Sequence, residues 1–148
     1  MGGFVPDHAS GCIDPPNRAL RVNVVAADAG GPDPVILVPA ALSFSHGGTI
    51  LNPDSPINIV VWRAPFTCTL TAVKGFAVGA SGTTVNARKN GSLTHLASDL
   101  TLSSTGSWLD GGAVQNTSYV AGDELEIMLT GIGGVPTQIA VQVDFARA

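Results

Sequence analysis

Charged side chains are scarce in this sequence, since Asp, Glu, Lys and Arg make up only 12% of its 148 residues. Globular proteins usually carry about twice that share. Only seven residues are Lys or Arg, and they form no basic block or stripe, so we expect no binding to nucleic acid. The net charge of −4 is mild, which argues against a disordered acidic tail.

Long apolar segments are also missing. The longest ones, such as VILVPAAL at residues 35–42, are too short to cross a bilayer and contain a proline. The opening MGGFVPDHAS has neither the basic start nor the continuous apolar stretch of a secretory signal. We therefore expect no membrane partner, and synthesis in the cytoplasm.

Cysteine occurs only at Cys12 and Cys68, which are far apart in the sequence. Metal sites need clustered Cys or His ligands, and neither cysteine has such a neighbour, so no metal site is expected. Two alternatives remain open for the pair. The thiols are reduced or buried, or they form a disulfide within the chain or with a neighbouring subunit, which requires an oxidising environment.

Motifs of catalysis and cofactor binding are absent as well. His8, His46 and His95 are isolated from one another, and no nucleophile elbow, phosphate-binding loop or dinucleotide fingerprint occurs. Three histidines and eleven acidic residues give little support for a catalytic set in a chain rich in hydroxyl groups. The sequence therefore predicts no enzyme, no catalytic residues and no cofactor.

One acidic cluster needs a separate explanation. Asp123, Glu124 and Glu126 lie close together in VAGDELEIM, which could indicate a calcium or acid–base site. Strand alternation instead places both glutamates on one face and Leu125 and Ile127 on the other. The pattern predicts a solvent-facing carboxylate pair beside a buried face, with Asp123 in the preceding turn.

Glycine and proline are abundant, and prolines divide the chain because nine of the ten lie within the first 65 residues. Residues 1–17 show no periodicity and are predicted to form an extended N-terminal arm. Residues 18–56 are predicted to form a connecting region of strands and loops, in which HGGTILNPDSP, residues 46–56, is a loop. Residues 57–148 are predicted to form a β-sandwich domain.

Segments rich in Val, Ile and Thr follow one another at intervals of roughly ten residues in this C-terminal part, as in antiparallel sandwiches and barrels. The clearest alternation lies in TQIAVQVDFAR, whose Ile139, Val141, Val143 and Phe145 share one face. Gly75 is predicted to mark a bulge or bend in the strand TCTLTAVKGFAVG. No helical periodicity of several turns occurs, so we expect an all-β fold.

Much of the polar chemistry lies in VNARKNGSLTHL, residues 85–96. Asn-Gly between two extended runs predicts a β-hairpin, because a type I′ turn needs positive φ at both central positions. Arg88 and Lys89 then lie near an exposed end, with Asn90 in the turn. A binding loop would look similar, but the turn accounts for every residue except His95.

Two tryptophans, Trp62 and Trp108, could form an aromatic platform on which a sugar stacks. Trp62 lies in an apolar run and is predicted to belong to the core, whereas Trp108, in STGSWLDGG, is the better surface candidate. Trp108, Tyr119 and the hairpin residues 88–90 are the predicted exposed binding tip. Large aromatic side chains equally anchor subunit interfaces, so this signal does not by itself define the ligand.

The order of elements between Ile57 and Arg147 resembles that of a known module. A strand with an aromatic residue runs into Ala-Pro (VVWRAPF), and a Thr/Val strand follows and reaches a Gly-rich bend (CTLTAVKGFAVGASG). A hairpin (VNARKNGS), a turn and strand (AGDELEI) and an alternating strand (IAVQVDF) complete the order. In this order the segment resembles a β-sandwich module of tailed-bacteriophage virion proteins, including capsid decoration proteins, head fibres and tail-fibre tips.

This resemblance implies a jelly-roll-like antiparallel sandwich that forms homotrimers and needs no cofactor. It implies a structural virion protein, made in the host cytoplasm, and we expect a capsid decoration (cement) protein on the capsid surface. Its partners would be its own copies and the major capsid protein or another virion protein, with the extended arm suited to docking. The alternative is a fibre-tip or receptor-binding module that recognises cell-surface glycans.

Overall fold

The computed structural model describes residues 42–79 and 81–147. All of these residues belong to one compact unit, Pro39–Ala148. The arm predicted at residues 1–17 and Cys12 within it lie outside the described residues.

The described part of the chain forms ten strands and contains no helix. The six longer strands are β1 (Leu42–Leu51), β2 (Ile57–Arg63), β3 (Cys68–Val78), β4 (Thr83–Lys89), β9 (Glu124–Gly131) and β10 (Gln138–Arg147). The four short strands are β5 (Leu93–Thr94), β6 (Leu100–Leu102), β7 (Trp108–Asp110) and β8 (Ser118–Tyr119). With no helix there, the described residues also contain none that could span a membrane.

The strands form two five-stranded antiparallel sheets that pack face to face. Sheet A has the order β1-β10-β3-β7, and β8 also pairs with β3. Sheet B has the order β2-β9-β4-β5, and β6 also pairs with β4. The predicted all-β antiparallel sandwich is therefore confirmed.

The core lies between the sheets and follows the alternation of side chains along each strand. On β10 the four residues predicted to share a face are at most 1% exposed. On β9 the apolar positions Leu125, Ile127 and Leu129 are fully buried, while their neighbours Glu124 and Glu126 are partly exposed. Because the two inner faces are apolar and close-packed, their burial is the main source of stability.

Two sequence predictions about local structure are wrong. Residues 46–51 are not a loop but the second half of β1, which pairs with β10 from Leu42 to Leu51. Gly48 is suited to its position in β1, since a Cβ there would lie 2.9 Å from Cδ1 of Ile127 in the facing sheet. Close packing between sheets, rather than a turn, accounts for this glycine.

The bulge in β3 lies at Thr71 and not at Gly75. Asp144 pairs with Ala72 and Phe145 with Leu70, so Thr71 is the extra residue. Gly75 sits in regular pairing, and a Cβ there would lie 2.6 Å from Cδ2 of Leu102. Gly75 therefore makes room for the side chains of sheet B.

Candidate functional site

The hairpin predicted at Asn90-Gly91 is confirmed. Both residues have positive φ, 51° for Asn90 and 73° for Gly91. The backbone N–H of Ser92 donates to the carbonyl of Lys89 at 3.2 Å and closes the turn. These are the dihedral signs that a type I′ turn requires.

The polar side chains at this hairpin tip are engaged within the domain. Arg88 forms an ion pair of 2.7 Å with Glu126, and Lys89 donates to the carbonyl of Ser118 at 2.7 Å. The Asn90 amide donates to Asp123 at 2.7 Å and, with the N–H of Val120, holds the pKa of that carboxyl below its usual value. These contacts tie the turn to the start of β9, which gives the tip a structural role.

Tyr119 does not belong to an exposed binding tip, because it is fully buried. Its hydroxyl lies 2.7 Å from Nε2 of His95, which is fully buried too. Nδ1 of His95 lies 3.1 Å from the carbonyl oxygen of Gln115. A carbonyl only accepts, so Nδ1 carries the proton and Nε2 accepts from the tyrosine hydroxyl. Burial lowers the pKa of His95 and raises that of Tyr119.

Trp62 packs against the core as predicted, within a group of aromatic rings at one end of the sandwich. His46 stacks on it with ring centroids 4.4 Å apart and an interplanar angle of 18°. Phe145 lies 5.0 Å from Trp62, and Phe44 stacks on Phe145 at 5.4 Å. Burial lowers the pKa of His46, as it does for His95. The ring contacts explain why this histidine lies among apolar groups.

Cys68 is buried, and burial is the main cause that raises the pKa of its thiol, with the Asp123 carboxylate adding to the effect. Whether it pairs with Cys12 stays a prediction. Within residues 42–79 and 81–147, no three His, Cys, Asp or Glu side chains come together as a metal site.

The outer face of sheet A brings together residues that are distant in sequence. Strand register places Thr49, Ala140, Phe76 and Trp108 in one row across β1, β10, β3 and β7. The next row consists of Gly47, Gln142, Lys74 and Asp110. We call the depression over these rows the Trp108 groove; its lining residues include Gly47, Thr49, Phe76, Trp108, Ala140 and Gln142.

Small residues form the floor of the Trp108 groove, and an aromatic pair forms its wall. Gly47 has no room for a side chain, because a Cβ there would overlap the carbonyl oxygen of Val141. Trp108 is 50% exposed and packs on Phe76 with ring centroids 5.4 Å apart. The groove has a volume of about 480 Å³, and a second depression of about 320 Å³ shares Trp108 and Gln142.

A charged network borders the groove. Lys74 forms an ion pair of 2.6 Å with Asp144, and Ser45 and Gln142 each donate to the same carboxylate at 2.7 Å. Burial alone would raise the pKa of Asp144, but these three hydrogen bonds outweigh it and lower the pKa. Asp110, at the end of the row, accepts a hydrogen bond from the N–H of Gly112. The rim thus offers both donors and acceptors.

The structure therefore separates the residues predicted as one binding tip. Trp108 lies on the outer face of sheet A, Tyr119 lies inside the domain, and Arg88, Lys89 and Asn90 brace the hairpin. The sequence-based prediction missed Phe76, Gln142 and Lys74 as neighbours of Trp108, because only the pairing of β10, β3 and β7 brings them together.

No protein-family model matches the chain, and no curated protein matches it. Among solved structures, a chain of the cyanophage Pam1 capsid asymmetric unit has a similar fold, with a TM-score of 0.51 and 12% sequence identity. The similarity covers 83% of this chain and 95% of that chain. At this identity it shows a shared fold.

Proposed function

We propose that this chain is a structural virion protein of a tailed phage, and more specifically a capsid decoration (cement) protein on the head surface. The observation that carries the proposal is the fold shared with a chain of the cyanophage Pam1 capsid asymmetric unit along 95% of that chain. Such a protein stabilises the particle through subunit contacts, and no catalytic role is proposed.

The strand order is consistent with the jelly-roll-like sandwich that the resemblance implies. The first four strands alternate between the sheets, and β10 and β9 lie between β1 and β3 and between β2 and β4, respectively. Double sheets with such long-range connections occur in jelly rolls, which are common in viral capsid proteins.

One lateral side of the sandwich supports the proposed contacts with other subunits. β1 and β2 each stand at the end of their sheet's strand order. Together they carry four exposed large apolar side chains, Leu42, Leu51, Ile57 and Val60, which are 42% to 69% exposed. Apolar groups of this kind form the cores of subunit interfaces. We infer that this side, the β1–β2 side, joins copies of the chain in a homotrimer. The homotrimer would in turn contact the major capsid protein.

A fibre-tip or receptor-binding module that recognises cell-surface glycans is the second candidate. One observation favours it, namely the half-exposed Trp108 beside the Trp108 groove. Its location on the particle would differ from that of a decoration protein, with few copies at a fibre and many on the head.

The decoration role is tested by adding the purified chain to particles assembled without it. We expect the chain to attach and to raise the temperature at which packaged DNA becomes accessible to a dye, because bound subunits stabilise the particle by mass action. Val60→Lys on the β1–β2 side is expected to weaken this effect, since a charge there opposes burial. Val135→Lys, at a residue 81% exposed outside that side, serves as the matched control.

Two results would contradict the proposal. One is a chain that does not attach to the particles, and the other is attachment that leaves the release temperature of the DNA unchanged.

The predicted arm, residues 1–17, is expected to be cleaved by protease in the free protein and protected on the particle.

A further inference from the structure

We propose that the Trp108 groove is a binding site for neutral saccharide rings. This inference rests on the second candidate function, glycan recognition, and deepens it by giving the site and the ligand class. It does not rest on the decoration role, because a saccharide could bind to this face wherever the protein sits in the virion. It joins three observations: an exposed aromatic face, an open floor and hydrogen-bonding groups of both kinds along the rim.

The aromatic part of the site is already held in place. Phe76 supports Trp108 from within the same row of sheet A, at a centroid distance of 5.4 Å. Half of the tryptophan surface remains open to solvent. A pyranose ring has an apolar face made of C–H groups, and a fixed indole offers it a large contact area at little cost in conformational entropy.

The space beside Trp108 fits a small ligand. Both depressions that it borders, of about 480 and 320 Å³, are comparable with ligand sites, which typically measure about 300 to 1,000 Å³. Gly47 cannot carry a side chain and Ala140 has only a methyl group, so nothing fills the floor. Trp108 therefore borders both open spaces, and successive rings of one oligosaccharide could occupy them.

The polar groups match the edge of a sugar ring. Hydroxyl groups both donate and accept, and the rim supplies acceptors in Asp110 and Gln142 and donors in Lys74 and Thr49. Gln142 lines both depressions, and its amide N–H donates to Asp144. That hydrogen bond orients the carboxamide, and among the described residues no donor reaches its oxygen.

The charge of the site argues against other ligands. Lys74 is already paired with Asp144, and Asp110 adds a second carboxylate next to it in the sheet, so a phosphate backbone would meet net negative charge. The core of a protein interface is depleted of charged residues, whereas here Lys74 and Asp110 lie in the row next to Trp108. Neutral saccharide rings are compatible with both the net negative charge and the charged residues beside Trp108.

The test uses the indole N–H signals of the ¹⁵N-labelled protein, which has only two tryptophans. The protein is titrated with gluco-, galacto-, manno- and N-acetylglucosamine oligosaccharides. We expect at least one series to shift the Trp108 signal saturably, while the signal of Trp62, which packs against the core, stays in place as an internal reference.

A pair of variants checks the position of the site. Trp108→Ala is expected to weaken binding by about tenfold or more, followed through the backbone amides of Asp110 and Gln142. Val120→Ala removes an equally exposed apolar side chain, 56% exposed and outside both depressions, and is expected to bind like the original chain.

The proposal is overturned if no oligosaccharide moves the Trp108 signal, or if Trp108→Ala leaves the affinity unchanged. If no oligosaccharide binds and Trp108→Ala instead prevents self-association or attachment to the capsid, the groove belongs to a protein interface. Failure of the decoration role would leave these titrations unaffected, so the two proposals can fail separately.

Discussion

Replacing Phe145 by alanine is expected to lower the free energy of unfolding by about 4 kcal/mol, because large aromatic-to-alanine changes in a core remove both buried area and packing contacts. Phe145 is 1% exposed and lies where the two sheets meet. Its ring stacks on Phe44 and lies 5.0 Å from Trp62 and 5.2 Å from Tyr119. Chemical denaturation followed by tryptophan fluorescence measures the change, since Trp62 touches the altered site.

Two control variants separate this packing effect from general sensitivity to mutation. Phe145→Leu keeps most of the volume and is expected to cost about 1.5 kcal/mol or less. Val135→Ala, at a residue 81% exposed, is expected to change stability by less than about 0.5 kcal/mol. A Phe145→Ala protein as stable as the original chain would show that the aromatic group does not join the sheets as described.

Tyr119→Phe is expected to lower the free energy of unfolding by about 2 kcal/mol at neutral pH, because it removes the hydroxyl that donates to the buried Nε2 of His95. Denaturant unfolding of the variant and the original chain measures the difference.

The burial of His95 also predicts that the protein loses stability in acid. The pKa of His95 is lowered in the folded protein, mainly by burial, from an ordinary value of 6.5. The unfolded chain therefore takes up the proton first, so stability is complete above about pH 6.5 and falls as the pH drops below it.

Denaturant unfolding measured across this pH range tests the assignment. His46 is shifted in the same direction, so His95→Gln and His46→Gln are compared separately. We expect His95→Gln to flatten the loss of stability below about pH 6.5, because the proton that the unfolded chain binds there is removed. Curves for His95→Gln and the original chain that run parallel would show that His95 does not carry the effect.

The sandwich could be predicted because alternation survives in its longest strands. In β10 every second side chain is apolar, and the sheet buries those positions. The loop predicted at residues 46–51 and the bulge or bend predicted at Gly75 were wrong because of glycines. A glycine that begins a turn and a glycine that leaves room for a side chain of the facing sheet cannot be distinguished in the sequence. Gly48 and Gly75 are of the second kind, and only the position of the facing sheet reveals it.

Polar residues were harder to place, because their surroundings come from distant parts of the chain. Asn86 lies on the polar side of β4 by alternation, yet it is 2% exposed. Its side chain bonds the backbone of Leu96 and the carboxylate of Asp99, which cover it. Tyr119 was predicted to be exposed for the same reason, since nothing near it in sequence identifies His95 as its partner.

We propose that this chain is a structural component of the virion head. Quantitative mass spectrometry of purified particles, with heads separated from tails, shows in which part of the particle the chain occurs. We expect to find the chain in the head fraction with a copy number of the same order as that of the major capsid protein. A chain that is missing from purified particles, or is present in a few copies only in the tail fraction, would contradict it.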